Sequence, residues 1–299
     1  MGPSNRVSLE GHLWIREVDA LKPSQVRVVQ GHRSLRSVPK GVDTLLVLMS
    51  TALIRGIPDS FGQALRQNPS ELDIELARSQ HGAYAQRLAE AGYTLEEVPS
   101  SNQHPDCVFV EDAAVVVGEV AIVCRPGAPS RRGEVGPVAD SLATWFPLTT
   151  IHPPGTVDGG DVLVVNGTVY VGLSSRTNRE AIDQMTSVAN SQGLAVRAVE
   201  VEHVLHLKSA VLAVDDETIV ITPNTVDEAI FDGLQILYEA EAERNRFSAL
   251  PLPDGTVLVT ANAPETADLV SARGLDVVPI DVSEILAADG GLTCMSIRF

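Results

Sequence analysis

The chain is poor in cysteine, poor in bases and free of long apolar runs, and each scarcity removes a class of protein. Three cysteines in 299 residues cannot make a disulfide framework; they suit a reducing, cytoplasmic setting and leave a lone reactive thiol open to chemistry. No apolar stretch approaches the roughly 20 residues that a membrane helix needs, and the N-terminus has no signal-peptide core. Lys and Arg number 22 against 39 Asp and Glu, a formal net charge of −17. That field disfavours nucleic acid and anionic membrane as partners and suits a small cationic substrate. Glycine pairs occur, but none joins a strand to a helix with a basic residue in the phosphate-cradling pattern. What remains is a globular chain of ordinary make-up, 44% hydrophobic and 20% charged. Its length allows one large closed domain or two ordinary ones.

The scarce bases are unevenly placed. Residues 1–48 hold seven of them (Arg6, Arg16, Lys22, Arg27, Arg33, Arg36, Lys40) with four acids (Glu10, Glu17, Asp19, Asp43), net +3. The remaining 251 residues therefore carry 15 bases and 35 acids. A shift of that size marks a boundary at Met49. Residues 1–48 read as a basic N-terminal extension, either an appendage or a stretch ahead of a start at Met49, and 49–299 as the folded domain. The run Leu45–Met49 equally reads as one extra strand.

From Met49 onward the sequence keeps returning to one unit. Its clearest copy is Asp161-Val-Leu-Val-Val-Asn166-Gly167-Thr-Val-Tyr-Val171, two short apolar strands around the Asn-Gly pair that supplies the positive φ angles of a type I′ hairpin turn. Val108–Val117 with Val120–Val123, Ala210–Val214 with Thr218–Ile221, and Leu250–Pro253 with Thr256–Val259 repeat the form. Helical patterns follow at Asn178–Gln192 and Pro264–Arg273, each stopping at a glycine (Gly193, Gly274) in the place of a C-cap, and an earlier one runs from about Glu71 to Gly92. A further strand follows each: Tyr93–Val98, Leu194–Val201, Leu275–Ile280. The unit is strand, strand, helix, strand, and recurrence of this kind argues for an array of stacked copies. Four copies are whole. A lone strand at Thr51–Arg55 and another at Cys294–Phe299 are the halves of a fifth, and joining them closes a ring and removes exposed sheet edges. The expected fold is a single-domain, five-bladed α/β propeller.

The loop before each hairpin carries chemistry: Asp106, Asp158, His206 and, in the split unit, Cys294. Equivalent places in a closed ring face one another, so a thiol, an imidazole and carboxylates converge. Arg131 and Arg176 follow second strands, where two guanidinium groups can clamp a carboxylate. Glu111 and Asp112, paired acids among apolar residues, suit a planar cation. Other residues have plainer readings. Cys107 and Cys124 read as inert core thiols, His104, His152 and His203 as loop or surface residues, Asp161 as structural, and Glu239-Ala-Glu241-Ala-Glu243 as a solvated helix face.

Five motifs, Asp106-Cys-Val-Phe-Val-Glu-Asp112, Arg125-Pro-Gly-Ala-Pro-Ser-Arg-Arg132, Asp158-Gly-Gly-Asp161, Leu205-His-Leu-Lys-Ser209 and Leu292-Thr-Cys294, resemble the dimethylarginine dimethylaminohydrolase family. That family belongs to the arginine-deiminase-like superfamily of guanidino-modifying propellers. The likeness runs in order through about residues 50–299. It implies Cys294 as nucleophile, His206 as general acid and base, and Asp158 as the acid that orients the imidazole. It implies Glu111 and Asp112 at the guanidinium, and Asp106, Arg131 and Arg176 at the amino-acid end. Leu65 falls in the mobile loop over the site, and Ala288 and Asp289 in the substrate wall. Ala288 stands where a larger aliphatic residue is usual, and Met295 where a second cysteine often follows the nucleophile.

The implied reaction is hydrolysis of an N-omega-methylated arginine, dimethylarginine or monomethylarginine, to citrulline and the methylamine. Cys294 attacks the guanidinium carbon, its pKa lowered by the bound cation, and His206 protonates the departing amine. His206 then deprotonates the water that hydrolyses the S-alkylthiouronium, while Asp158 steadies the imidazolium. Neither metal nor organic cofactor is needed, and a homodimer is compatible. Two other readings stay open: a deiminase or amidinotransferase acting on unmethylated guanidines, and a non-catalytic arginine-binding propeller.

Overall fold

A computed structural model of the chain describes Val7–Leu9, Leu13–Ile15 and Ser50–Phe299 apart from Asn68. The chain divides between Met49 and Ser50. In the first part Val7–Leu9 (β1) and Leu13–Ile15 (β2) pair antiparallel, Leu9 opposite Leu13. The expected strand at Leu45–Met49 and the rest of the basic extension lie outside the described residues.

Ser50–Phe299 is a mixed α/β unit of five three-stranded sheets. The first joins β17 (Ser296–Arg298), β3 (Thr51–Arg55) and β4 (Thr94–Val98). The second is β5 (Ala114–Val117), β6 (Val120–Val123) and β7 (Leu148–Thr150); the third is β8 (Val162–Val165), β9 (Thr168–Leu173) and β10 (Ala195–Glu200). The fourth is β11 (Val211–Ala213), β12 (Thr218–Ile221) and β13 (Gln235–Tyr238), and the fifth is β14 (Ala249–Pro251), β15 (Thr256–Thr260) and β16 (Asp276–Ile280). In every sheet the first two strands are antiparallel and the second and third parallel.

Local chemistry explains the pattern. Antiparallel neighbours need only a tight turn, and Asn166 (φ 48°) and Gly167 (φ 69°) supply the left-handed pair between β8 and β9. Parallel neighbours need a crossover. Four crossovers carry a helix: α1 (Ile74–Glu90), α2 (Val135–Leu142), α3 (Arg179–Ser191) and α4 (Pro264–Ser271). Asn178 caps α3 by accepting the Ala181 N–H at 3.1 Å, and Asp73 caps α1 by accepting the Leu76 N–H at 2.9 Å. The fourth sheet crosses over a single 3-10 turn, Glu228–Phe231, and a short helix α5 (Ser283–Ala287) precedes β17.

Four expected elements differ. The fourth sheet has no α-helix in its crossover, and the strand expected from Cys294 begins at Ser296, after the 3-10 turn Thr293–Met295. Val108–Ala113 is not strand: Val110–Ala113 is a buried 3-10 turn, because Asp112 bonds away from the sheet, to the Gly160 N–H at 2.8 Å and to Arg131. Glu239–Glu243 is not a solvated face either. Glu239 is buried, accepting the Arg246 and Phe247 N–H groups at 3.0 Å each and the Thr222 hydroxyl at 2.7 Å. Buried Glu243 accepts the Glu265 and Thr266 N–H groups at 2.7 and 2.8 Å. It thus caps α4, whose own N-cap residue Ala263 has no side-chain acceptor.

The core lies between successive sheets. Leu53 and Ile297 pack with Ala114 and Ala121, Ile122 with Val162 and Val169, Leu163 and Tyr170 with Val211 and Ile219. Leu212 and Val220 pack with Ala249 and Val257, and Ala52 and Ile54 with Leu250 and Leu258. Before four of the first strands the chain makes a 3-10 turn: Val110–Ala113, Gly159–Asp161, Leu207–Ser209 and Thr293–Met295. These turns touch one another and bring distant parts of the sequence together at one end of the strands.

The strand β3 is buried along its whole length between β17 and β4. A chain starting at Met49 is expected to stay soluble and unfold cooperatively with little change in midpoint. One starting at Ile57 lacks β3, exposes the β17 edge and is expected to be insoluble. Equal damage to both, read by circular dichroism during heating, would move the boundary upstream.

Candidate active site

Each turn presents side chains toward a common centre, and a buried carboxylate there must find a cation or several donors. Asp161 is met by the Thr177 and Ser174 hydroxyls at 2.6 and 2.7 Å and by the Leu207 N–H at 2.8 Å. That last bond ties the third-sheet turn to the turn behind His206. Its role is to hold His206 in place rather than to react. The turn bearing Cys294 is held in the same way. The Tyr84 hydroxyl of α1 donates to the Leu292 carbonyl at 2.9 Å and lies 2.7 Å from Ser296 Oγ, and Ser248 Oγ accepts the Leu292 N–H at 2.9 Å.

One narrow pocket is lined by Leu65, Asp106, Phe109, Asp112, Arg131, Arg176, Leu205, His206, Ala288, Asp289, Gly290 and Cys294. Nine of the eleven residues expected from the sequence are among them. The other two stand behind the lining. Asp158 is fully buried, with Oδ2 3.1 Å from His206 Nε2 and 3.2 Å from Arg176 Nη1, while Oδ1 accepts the Gly127 N–H at 2.9 Å. Glu111 lines a second cavity, and its Oε1 takes the Lys208 ammonium at 2.5 Å. Gly160 is required by close approach, since a Cβ there would lie 2.6 Å from His206 Nδ1 and 2.9 Å from Asp112 Oδ1.

The two arginines differ. Arg131 is buried and largely spent: Nε and Nη2 bond Glu134, Nη2 also reaches the Asp106 and Phe109 carbonyls, and Nη1 pairs with Asp112. At most one Nη1 hydrogen is left for a ligand. Arg176 is the most exposed cation here, at 17% of its side chain, and among the described residues its guanidinium bonds only Asp158. The neighbouring Arg132 lies at the surface, bonded to the Pro126 carbonyl at 3.1 Å. Above the pocket, the Leu65 N–H donates to Asp106 Oδ1 at 3.0 Å and the Gln67 N–H to Asp289 Oδ2 at 2.5 Å.

Glu134 and Lys208 hold this arrangement together, yet neither has a role in the sequence reading. Lys208 stood inside a motif. Glu134 had no signal beyond lying three residues from Arg131. Asp112, Asp158 and His206 each bring a ligating atom within 4.8 Å of the others, a spacing that could suit a metal ion. Protein cations already serve both carboxylates, Arg131 and His206 at Asp112 and Arg176 at Asp158, so a metal would have to displace them.

The charges decide the protonation states. Burial works against the His206 imidazolium, but Asp112, the Asp158 hydrogen bond and Asp161 outweigh it and raise the pKa to about 9. Burial, then the Glu111 and Asp112 carboxylates, push the Cys294 thiol up to about 12, against the Gly291 N–H at 3.4 Å and Lys208. The pocket at neutral pH thus holds a neutral thiol beside an imidazolium. Alkylation of Cys294 by iodoacetamide should therefore keep accelerating from about pH 7 to beyond pH 9, past the ordinary thiol range. A plateau below about pH 8 would mean that the empty pocket already holds a thiolate. Cys107 and Cys124, with pKa values raised mainly by burial, should stay unlabelled.

The family model described as "N,N dimethylarginine dimethylhydrolase, eukaryotic" matches residues 56–245. The N(G),N(G)-dimethylarginine dimethylaminohydrolase of Streptomyces coelicolor is 37% identical over 76% of this chain and 88% of its own length. The enzyme of the same name from Pseudomonas aeruginosa is 33% identical over 76% and 90%. A solved structure of a mutant of the Pseudomonas aeruginosa enzyme complexed with citrulline superposes with a TM-score of 0.80 at 30% identity, covering 84% of this chain and all of that one. A second solved structure, an adduct of a dimethylarginine dimethylaminohydrolase with S-methyl-L-thiocitrulline, superposes equally well, with a TM-score of 0.80. On these grounds the chain belongs to the dimethylarginine dimethylaminohydrolase family.

Proposed function

We propose that the chain hydrolyses N-omega-methylated arginine to citrulline and methylamine or dimethylamine, with Cys294 as the covalent nucleophile. The observation that carries this reading is the pocket itself. Cys294 and His206 line it together, Asp158 backs the imidazole, and acids outnumber bases around it. A guanidinium entering beside Asp112 and Cys294 relieves the negative potential that keeps the thiol protonated, so the substrate's own charge lowers the thiol pKa. The thiol proton passes to solvent, the thiolate adds to the guanidinium carbon, and the His206 imidazolium protonates the methylated nitrogen, which leaves as the amine. Water, deprotonated by the now neutral His206, attacks the thiouronium, the C–S bond breaks, and citrulline is released. Asp158 keeps the imidazole oriented throughout.

At the other end, Arg176 takes the substrate carboxylate, with Arg131 adding one hydrogen. Asp106 receives the ammonium, which competes there with the Leu65 N–H. Asp112 faces the guanidinium, and Glu111 acts from behind through its charge. The setting is the cytoplasm, which suits three free cysteines; among the described residues no helix is long and apolar enough to cross a membrane. For the architecture we read the five sheets as blades of an α/β propeller. In support, five core clusters join successive sheets and the last sheet to the first. One cavity also meets the first strand of every sheet.

Incubation with arginine, monomethylarginine, asymmetric dimethylarginine and agmatine, with identification of the amine released, tests the reading. Dimethylamine from asymmetric dimethylarginine is expected; ammonia from arginine at a higher rate would favour a deiminase. Cys294→Ser should abolish turnover while substrate still binds, and acid-quenched wild type should carry its adduct on Cys294. An adduct on Cys107 or Cys124 would overturn the mechanism. Arg176→Ala should weaken methylarginine binding on the order of a hundredfold, the loss expected of a charge-assisted carboxylate contact. The same variant should barely change binding of a methylguanidine lacking the carboxylate; equal losses for both ligands would remove Arg176 from the carboxylate end.

A further inference from the structure

The roomier cavity of the unit is not the Cys294 pocket. It holds about 330 Å³ and runs beside Val115 of β5, Val164 of β8, Ala213 of β11, Leu250 of β14 and Ile297 of β17. Asp215 and Asp216, at the tip of the β11–β12 hairpin, stand at one end, and Glu111, Lys208 and Thr293 at the other. Each of the latter adjoins a pocket residue: Glu111 precedes Asp112, Thr293 precedes Cys294, and Lys208 lies two beyond His206. The Glu111–Lys208 pair, 2.5 Å apart, therefore forms part of the wall between this cavity and the reacting thiol. The thiol feels both charges through that wall. Glu111 Oε2 is buried and receives no hydrogen bond from any described residue, so this charged acceptor lacks the donor that buried carboxylates normally find.

We propose that this rear cavity delivers the hydrolytic water to the Cys294 intermediate, along Glu111 Oε2. The inference rests on the methylarginine-hydrolase reading and concerns only its second half. After the amine has left, the rest of the substrate is still bonded to Sγ and its amino-acid end occupies the mouth between Arg176 and the Leu65 segment. The front pocket is narrow even without a ligand, at about 20 Å³ between its side chains, so a bound intermediate leaves no reserve of water there. A supply from the rear replaces water while the front stays covered. In the step itself the water oxygen bonds to the thiouronium carbon and one proton passes to neutral His206. The C–S bond then breaks and the remaining hydroxyl proton ends on Sγ, leaving the ureido group of citrulline, a thiol and an imidazolium. Those are the protonation states of the resting pocket.

The cavity can be filled without touching the reacting residues. The series Ala213→Val, Ala213→Leu and Ala213→Phe, with Val164→Trp on a different strand, is mixed with asymmetric dimethylarginine and acid-quenched. Dimethylamine and the Cys294 adduct are both quantified over the first turnover. The expected result is an unchanged burst of dimethylamine, growing adduct occupancy, and a kcat falling in order of side-chain volume to roughly a tenth of wild type. An unchanged kcat with no adduct build-up overturns the proposal, and so does an amine burst slowed in step with kcat. The smaller Ala213 substitutions keep the test alive if the bulky ones fail to fold. Wild type that releases no dimethylamine would instead sink the functional reading.

Discussion

Buried charge is the constraint on which this site depends. Asp106, Glu111, Asp112, Glu134, Asp158 and Asp161 are all buried around one centre, and an unmatched carboxylate in such a place costs several kcal/mol. Arg131 answers Asp112 and Glu134, Lys208 answers Glu111, and His206 with Arg176 answers Asp158. Among the described residues Asp161 has no cation within bonding distance and is held by two hydroxyls and an N–H. These partners come from turns before the first strands and from loops after the second strands of different sheets, so matching the charges and bringing the sheets' ends together are one requirement. Removing Arg131 would strand Asp112 and Glu134 together and loosen the turns that carry them.

How much of this can be read from the sequence depends on how far apart the partners are. The Asn166-Gly167 turn and the glycines closing α1 and α3 are local events whose cause lies within a few residues, and the sequence shows them directly. The convergence of Asp106, His206 and Cys294 on one pocket was legible because the repeat makes their positions equivalent. The pairings were not. Glu111 and Lys208 are 97 residues apart, and the pairing of His206 with Asp158, 48 apart, came from the family resemblance and not from the repeat. Nothing in periodicity says which acid takes which base. The same blindness made a strand of Val108–Ala113 and a wet helix of Glu239–Glu243. In both segments acidic residues are drawn inward by partners elsewhere: Gly160 and Arg131 for one, Phe247 and Thr266 for the other.

The two arginines show why residue type alone does not set a role. Both follow a second strand and both reach the pocket. Arg131 meets Glu134 one helical turn away and Asp112 of the 3-10 turn before β5, so most of its donors are committed before any ligand arrives. Its planar fork holds the wall in shape. Arg176 shares a single carboxylate with His206 and keeps the rest of its fork available. A ligand carboxylate that draws on Arg176 would also change the partner of Asp158, which couples recognition at one end to the imidazole at the other.

The excess of acid cuts both ways. It draws a cation in, and it penalises the thiolate that must attack that cation, which is why burial and two carboxylates hold the empty-pocket thiol neutral. A neutral thiol is a poor target for oxidants and alkylating agents, so the nucleophile is dangerous only to a ligand that brings positive charge with it. The same balance favours release. Hydrolysis replaces a guanidinium by an uncharged urea, so the product no longer offsets the acids around Cys294 and loses the attraction that placed the substrate there. The substrate carboxylate, which we propose sits at Arg176, is unchanged by the reaction, so the guanidinium end is where substrate and product differ, and it is there that the site discriminates between holding and letting go.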